Sequence, residues 1–174
     1  MMSAKAVLRV EKIPLSGACS HNFREYTNEN DATNVDKNRT EYNQILIGGN
    51  STKQVFEAQE KRLIGVKGTK QKPPKNYKSG EPQELVKNIE LDFSASAEYF
   101  FKNHDQSYYE SLVMKNPNDH EKINTYWNNH LDQDKLEAWK KEVMKFVAKE
   151  FGDKCISAIL HLDEKCPHIH IEVV

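Results

Sequence analysis

Residues 161–174 read HLDEKCPHIHIEVV and hold three of the chain's seven histidines. Residues two apart on a strand project from one face. His168 and His170 therefore share a face, while Ile169 and Ile171 point the other way, into a core. His161 lies at the end of a preceding apolar run, KCISAILHL, and only the six residues from Leu162 to Pro167 separate it from His168. Two strands joined so closely form a hairpin, which brings three imidazoles to one end of one sheet face. That arrangement suits a divalent metal with open coordination positions. Asp163 and Glu164 fall in the connection, where a carboxylate can hydrogen-bond a ligand or accept a proton. An H-x-H pair alone is explained as well by half-exposed polar alternation; the third histidine and the two acids favour a site.

Outward from this hairpin the pattern is mixed α and β. AKAVLRVEKI, residues 4–13, alternates with Ala4, Ala6, Leu8 and Val10 on one side, which predicts a half-buried strand ended by Pro14 and Gly17. A short helix is expected from Ser20 to Tyr26, then an Asn/Asp-rich loop, then a strand around YNQILIG. Ser51 can cap a helix running to about Leu63, with Val55, Phe56, Gln59 and Leu63 inward. NIELDF alternates through Ile89, Leu91 and Phe93, and Ser94 or Ser96 can cap a helix carrying Tyr99, Phe100 and Phe101. From Asp134, the residues Leu136, Trp139, Val143, Phe146, Val147 and Phe151 make the clearest helical stripe, with Gly152 suited to the C′ position. The expected fold is α+β: an antiparallel sheet of about five strands flanked by helices.

At 174 residues the chain is long enough for one domain, 1–174, with a core of its own. Hydrophobic residues make up 37% and charged residues 29%, too apolar for a disordered chain. No apolar run approaches the roughly 20 residues that span a bilayer, and MMSAKAVLRVEKI lacks the apolar stretch of a signal peptide. Cys19, Cys155 and Cys166 lack CxxC spacing, which argues against a disulfide framework or structural zinc and suits a reducing cytoplasm.

The net charge of −1 is unevenly spread. Residues 53–78 carry eight basic side chains against Glu57 and Glu60, whereas residues 81–151 carry nine basic against fourteen acidic. Lys67, Lys70, Lys72, Lys75 and Lys78 all lie in GVKGTKQKPPKNYKSG, a Gly/Pro/Lys-rich stretch that reads as a loop. A solvated linker and a phosphate-binding segment are both compatible with it.

Two polar clusters complete the inventory. SHNFR puts His21, Asn22 and Arg24 in one turn: an imidazole, an amide and a guanidinium suited to phosphate. NVDKNRTEYN packs Asn34, Asp36, Asn38, Arg39 and Asn43 into a loop leading to a strand, which alone reads as turn chemistry. In this order the pieces resemble the MobV (Mob/Pre) plasmid mobilization and recombination relaxases, a branch of the histidine-hydrophobe-histidine endonucleases. HLDEKCPHIH is similar to that family's H-x-D-E-x-x-P-H-x-H motif at every fixed position. SHNFR resembles its H-N-x-R motif, and NVDKNRTEYN its Asn/Asp, Arg, Asn motif on the second strand.

The resemblance implies metal-dependent nicking and joining of one strand at a plasmid transfer origin, through a covalent 5′-phosphoryl-protein intermediate, in the bacterial cytoplasm. His161, His168 and His170 would hold Mn²⁺ or Mg²⁺. His21 would be the nucleophile and Glu164 the group that orients or deprotonates it. Asn22, Arg24, Arg39 and Asn43 would contact DNA, single-stranded or in a hairpin, and Lys67, Lys70, Lys72, Lys75 and Lys78 would add salt-dependent affinity. Two positions depart from the family pattern. Gln44 stands where relatives often have tyrosine, which removes that tyrosine as a nucleophile and leaves Tyr26, Tyr42, Tyr108 and Tyr109 open; Glu41 stands where relatives often have histidine. The ending inside a strand suggests the N-terminal catalytic domain of a longer protein, with dimerisation or membrane association left to missing C-terminal parts.

Two other readings fit parts of the same residues. A catalytically silent DNA-binding module would bind an origin and leave a supercoiled plasmid intact. An Fe(II) oxygenase would use His161 and Asp163 with a distal histidine.

Overall fold

The computed structural model describes residues 6–11, 15–25, 35–37, 39–64, 88–103, 105–116 and 119–174. Among them five strands, β1 (Ala6–Glu11), β2 (Gln44–Ile47), β3 (Ile89–Ala95), β4 (Cys155–His161) and β5 (His168–Val173), make one sheet in the order β1-β3-β5-β4-β2. Every neighbouring pair is antiparallel. The helices among the described residues are α1 (Leu15–Asn22), α2 (Thr52–Leu63), α3 (Ala97–Phe100), α4 (Gln106–Lys115), α5 (His120–His130) and α6 (Gln133–Glu150). The fold class is the one the sequence predicts.

Strand β5 is central because its apolar residues find partners on both sides. Ile169 and Ile171 pair with Phe93 and Leu91 of β3 and with Leu160 and Ala158 of β4. Both isoleucines are fully buried, in a cluster with Phe100, Trp127, Leu136 and Val147 from the helices. Truncating either to Ala would cost about 2–5 kcal/mol on general grounds. A second cluster joins α1 and α2 to the sheet through Leu15, Cys19, Val55 and Ile156. Helix α6 begins where Asp132 accepts a hydrogen bond from the Lys135 amide, and it is followed by Gly152 at φ 54°. Its buried stripe of Leu136, Val143 and Val147 matches the periodicity of the sequence.

Several expectations change. Among the described residues β1 is an edge strand paired with β3 alone, and Leu8 and Val10 are exposed rather than half-buried. Helix α1 starts at Leu15 rather than near Ser20, placing Gly17 inside it and His21 in its last turn. Helix α3 has a single turn. Helices α4 and α5 emerge between α3 and α6, capped by the Asp105 and Asp119 side chains. The lysines at 67, 70, 72, 75 and 78, together with Tyr26, Asn34 and Asn38, lie outside the described residues.

Candidate active site

The β4–β5 hairpin sets His161 directly opposite His168. His168 and His170 follow on one face, with ring centroids 4.9 Å apart, and the His161 ring lies 5.2 and 5.3 Å from them. Helix α1 adds a fourth ring. His21 is 4.9 Å from His170 and 5.4 Å from His161. Residues at opposite ends of the chain therefore meet over one end of the sheet.

The nitrogens do not all face inward. Ligand atoms of His21, His168 and His170 converge within 4.8 Å of one another. His161 is fully buried, and its Nδ1 lies 2.8 Å from Arg24 Nη2 and 3.3 Å from the Asn43 amide nitrogen. A guanidinium only donates, so Nδ1 is the acceptor, and the proton sits on Nε2, 3.3 Å from Asn22 Oδ1. Asn43 also accepts from the Leu162 amide at 2.7 Å, tying the loop before β2 to the end of β4.

Arg24, at φ 56°, closes the site from below. Its Nε donates to Asp163 Oδ2 at 2.9 Å, Nη2 to Glu164 Oε1 at 2.9 Å, and Nη1 to the His21 carbonyl at 3.0 Å. Asp163 is fully buried and also accepts from Thr40 Oγ1 at 3.0 Å. Burial alone would raise its carboxyl. The contacts of His161 and Arg24 and the Arg24 charge outweigh that and hold it well below the usual carboxylate range. A carboxylate so enclosed is not open to a metal, so the Fe(II) oxygenase ligand set built on His161 and Asp163 does not form.

Glu164 is the more open acid. Its Oε1 is 3.4 Å from His21 Nε2 and 3.7 Å from His168 Nε2. Burial, followed by the charges of His170 and Arg24, lowers His21 to about 4. His161 and His168 are also lowered, chiefly by burial. Burial would lower His170 too, but its hydrogen bond to Glu90 and that residue's charge raise it. The cluster holds mostly neutral imidazoles at pH 7, the form that binds a metal or attacks phosphorus. It opens into a cavity of about 560 Å³ lined by His21, His168, His170, Glu164, Arg9 and Lys165 among others.

His21, Asn22, Arg24, Asn43, His161, Glu164, His168 and His170 thus assemble as one group. Arg39 is the correction. It is 2% exposed, stacks 3.8 Å from the Trp127 ring centroid, and binds Asp36 Oδ2 at 3.0 Å and the Leu162 carbonyl at 2.7 Å. A guanidinium buried and engaged in this way supports the 162–164 turn and is not presented to DNA phosphates. Sequence reasoning missed Glu90, whose carboxylate meets His170. The alternation of NIELDF carried that signal, since its polar positions share a face with the histidines once β3 is paired with β5. Of the candidate tyrosines, Tyr109 is buried against Tyr126 and Trp127 on the helical side.

Residues 121–174 match the family model described as plasmid recombination enzyme, Mob_Pre. No curated protein sequence matches the chain. Among solved structures, the chain resembles the MobM relaxase domain (MOBV; Mob_Pre), Mn-bound with 22-nucleotide oriT DNA of plasmid pMV158, at 19% identity and TM-score 0.53 over 97% of this chain and 69% of that one. A second MobM structure, with 22-nucleotide DNA bearing a 3′-thiophosphate, gives TM-score 0.56 at 19% identity over the same shares. A third, with 23-nucleotide DNA, gives 0.55 at 17% identity over 97% and 68%. The family match thus covers the C-terminal third, which holds three of the four clustered histidines, and the fold of the MobM relaxase domain runs through nearly the whole chain.

Proposed function

We propose that this protein is a relaxase of the Mob_Pre (MobV) type, which nicks one strand of a plasmid transfer origin in the bacterial cytoplasm, keeps the 5′-phosphate on His21, and later rejoins the strand. The observation that carries this is the position of His21: a neutral imidazole with Nε2 3.4 Å from Glu164 and its ring beside His170. Glu164 would hold the Nε2 proton and Nδ1 would attack phosphorus, with Arg24 Nη1, 3.4 Å from Nδ1, turning from the imidazole to the incoming phosphate. As the P–N bond forms, the bond from phosphorus to the 3′-oxygen breaks, and the Nε2 proton passes to Glu164 and on through water to the departing oxygen, giving a 3′-OH.

A divalent cation, Mn²⁺ or Mg²⁺, fits the donor set, because neutral imidazoles on two registered strands supply nitrogen ligands at fixed spacing. His168 and His170 would hold it, and His161 would be the third ligand through Nε2 once its proton passes to Nδ1, 3.7 Å from Asp163 Oδ1, in place of the Arg24 contact there. His21, the most exposed of the four at 35% of its side chain, would make the attack. When bound, the cation polarises the scissile phosphate and offsets charge developing on its oxygens. Arg24 holds Asp163 and Glu164 in place beneath the reacting phosphate. Single-stranded or hairpin origin DNA lies along the cavity beside His21.

The test is a supercoiled plasmid carrying the cognate origin, incubated with protein and Mn²⁺. Relaxed plasmid with protein on the 5′ end is expected, and that adduct should be lost in mild acid and survive base, as a P–N bond does. His21→Ala should abolish the adduct while retaining Mn²⁺ binding, whereas His161→Ala should weaken Mn²⁺ binding. The reverse pattern would move the metal to His21, His168 and His170. An acid-stable adduct on a tyrosine would overturn the histidine nucleophile, and an intact plasmid would overturn nicking itself.

A further inference from the structure

Beneath His170 lies a buried carboxylate that the reaction scheme above does not use. Glu90 Oε1 is 2.6 Å from His170 Nδ1, and the two side chains are only 6% and 13% exposed. Their strands are paired in fixed register, with Glu90 opposite Glu172 and His170 opposite Asp92, so the contact is diagonal across β3 and β5. The floor is itself braced. Asn88 donates to Glu172 Oε2 at 2.9 Å, and Gln59 of α2 donates to Asn88 Oδ1 at 3.3 Å. A polar chain from α2 to β5 thus ends on Glu172, the register partner of Glu90.

We propose that Glu90 is the positioning residue for His170, holding its ring in the Nδ1–H form so that Nε2 presents a lone pair to the metal. This rests on the metal reading of the site. A neutral imidazole free of such a contact samples both tautomers, and only one directs a lone pair along the ring orientation that the hairpin imposes. A carboxylate on the far nitrogen selects that tautomer, stops ring rotation and raises ligand basicity. Partners of this kind change metal affinity on the order of 10–100-fold in metal sites generally. Glu90 touches neither metal nor DNA in this scheme. It acts through His170 alone.

Two readouts test this, one independent of metal. In metal-free wild-type protein with labelled histidines, nitrogen chemical shifts above the His170 pKa should report a proton on Nδ1 and none on Nε2. Glu90→Ala should release the tautomer and weaken Mn²⁺ binding by about 10–100-fold. Glu90→Gln keeps a carbonyl oxygen that accepts from Nδ1–H, so it should retain the tautomer and recover most of the affinity; a merely space-filling role predicts no such split between tautomers. A wild-type His170 carrying its proton on Nε2, or a Glu90→Ala variant with unchanged tautomer and affinity, would overturn the proposal. Should Glu90→Ala fail to fold, the wild-type tautomer and the Gln variant decide. If wild-type protein binds no Mn²⁺, the metal reading falls, while the metal-free spectra still decide whether Glu90 sets the ring.

Discussion

Arg39 stacks its guanidinium on Trp127 and donates to the Leu162 and Glu164 carbonyls, with Asp36 as its ion-pair partner. A buried charge satisfied this fully is costly to half-remove, because truncation strands the carboxylate and two carbonyls. Arg39→Ala should destabilise the protein by about 3–5 kcal/mol, read as a lower urea midpoint. Arg39→Lys should restore little, since an ammonium cannot both stack and fork. Full stability combined with weakened DNA binding would instead return Arg39 to the phosphates. At this scale the histidines were legible, because spacing of two on a strand fixes a face regardless of context. The role of Arg39 was not legible, because its burial depends on Trp127, supplied by a helix far along the chain. Arg24 shows the same limit: its motif suggests phosphate, while its partners in the fold are Asp163 and Glu164.

Strands were readable wherever alternation met burial. Strands β3, β4 and β5 lie where their apolar residues predict, and the short connection from Leu162 to Pro167 gave the hairpin its register. Strand β1 alternates equally well yet stays exposed, because an edge position is a property of sheet order and nothing local announces it. Helix α4 lacks an apolar stripe as clear as those of α5 and α6; it starts at the Asp105 cap and packs on α5 through Tyr109, against Tyr126 and Trp127. The end of β2 shows what such contacts demand. Gly48 has φ 92°, and a Cβ there would press on the Ile156 carbonyl of β4. Both left-handed backbone and close approach disfavour a side chain, so Gly48→Ala should cost more than about 1 kcal/mol. That corresponds to a melting temperature lower by at least about 2–4 °C for a chain of this size. Asn43, which leads into β2 and contacts His161, would be loosened with it, so Mn²⁺ affinity should fall in parallel. An unchanged melting temperature would mean that β2 can shift away from β4 freely.

Across the whole molecule the charge problem is how a protein with net charge −1 would hold the polyanion that the proposed function requires. The site itself adds little positive charge, since three of its four imidazoles are pushed toward neutrality and Arg24 is paired with Asp163 and Glu164. Long-range attraction must then come from elsewhere, and residues 53–78, with eight basic against two acidic side chains, are the one strongly cationic stretch of the sequence. Phosphate contacts release condensed counterions, so each lost contact flattens the dependence of affinity on salt, by about 0.9 in log–log slope on duplex DNA and 0.7 on single strands. Neutralising Lys67, Lys70, Lys72, Lys75 and Lys78 to Gln together should weaken origin binding at low salt and reduce that slope by several of these increments. Mn²⁺ affinity and thermal stability are the controls and should stay as in the wild type. Binding titrations from low to physiological salt check this, and an unchanged slope would make the lysines solvated linker and require the anchoring charge to come from the open face around Arg9 and Lys165.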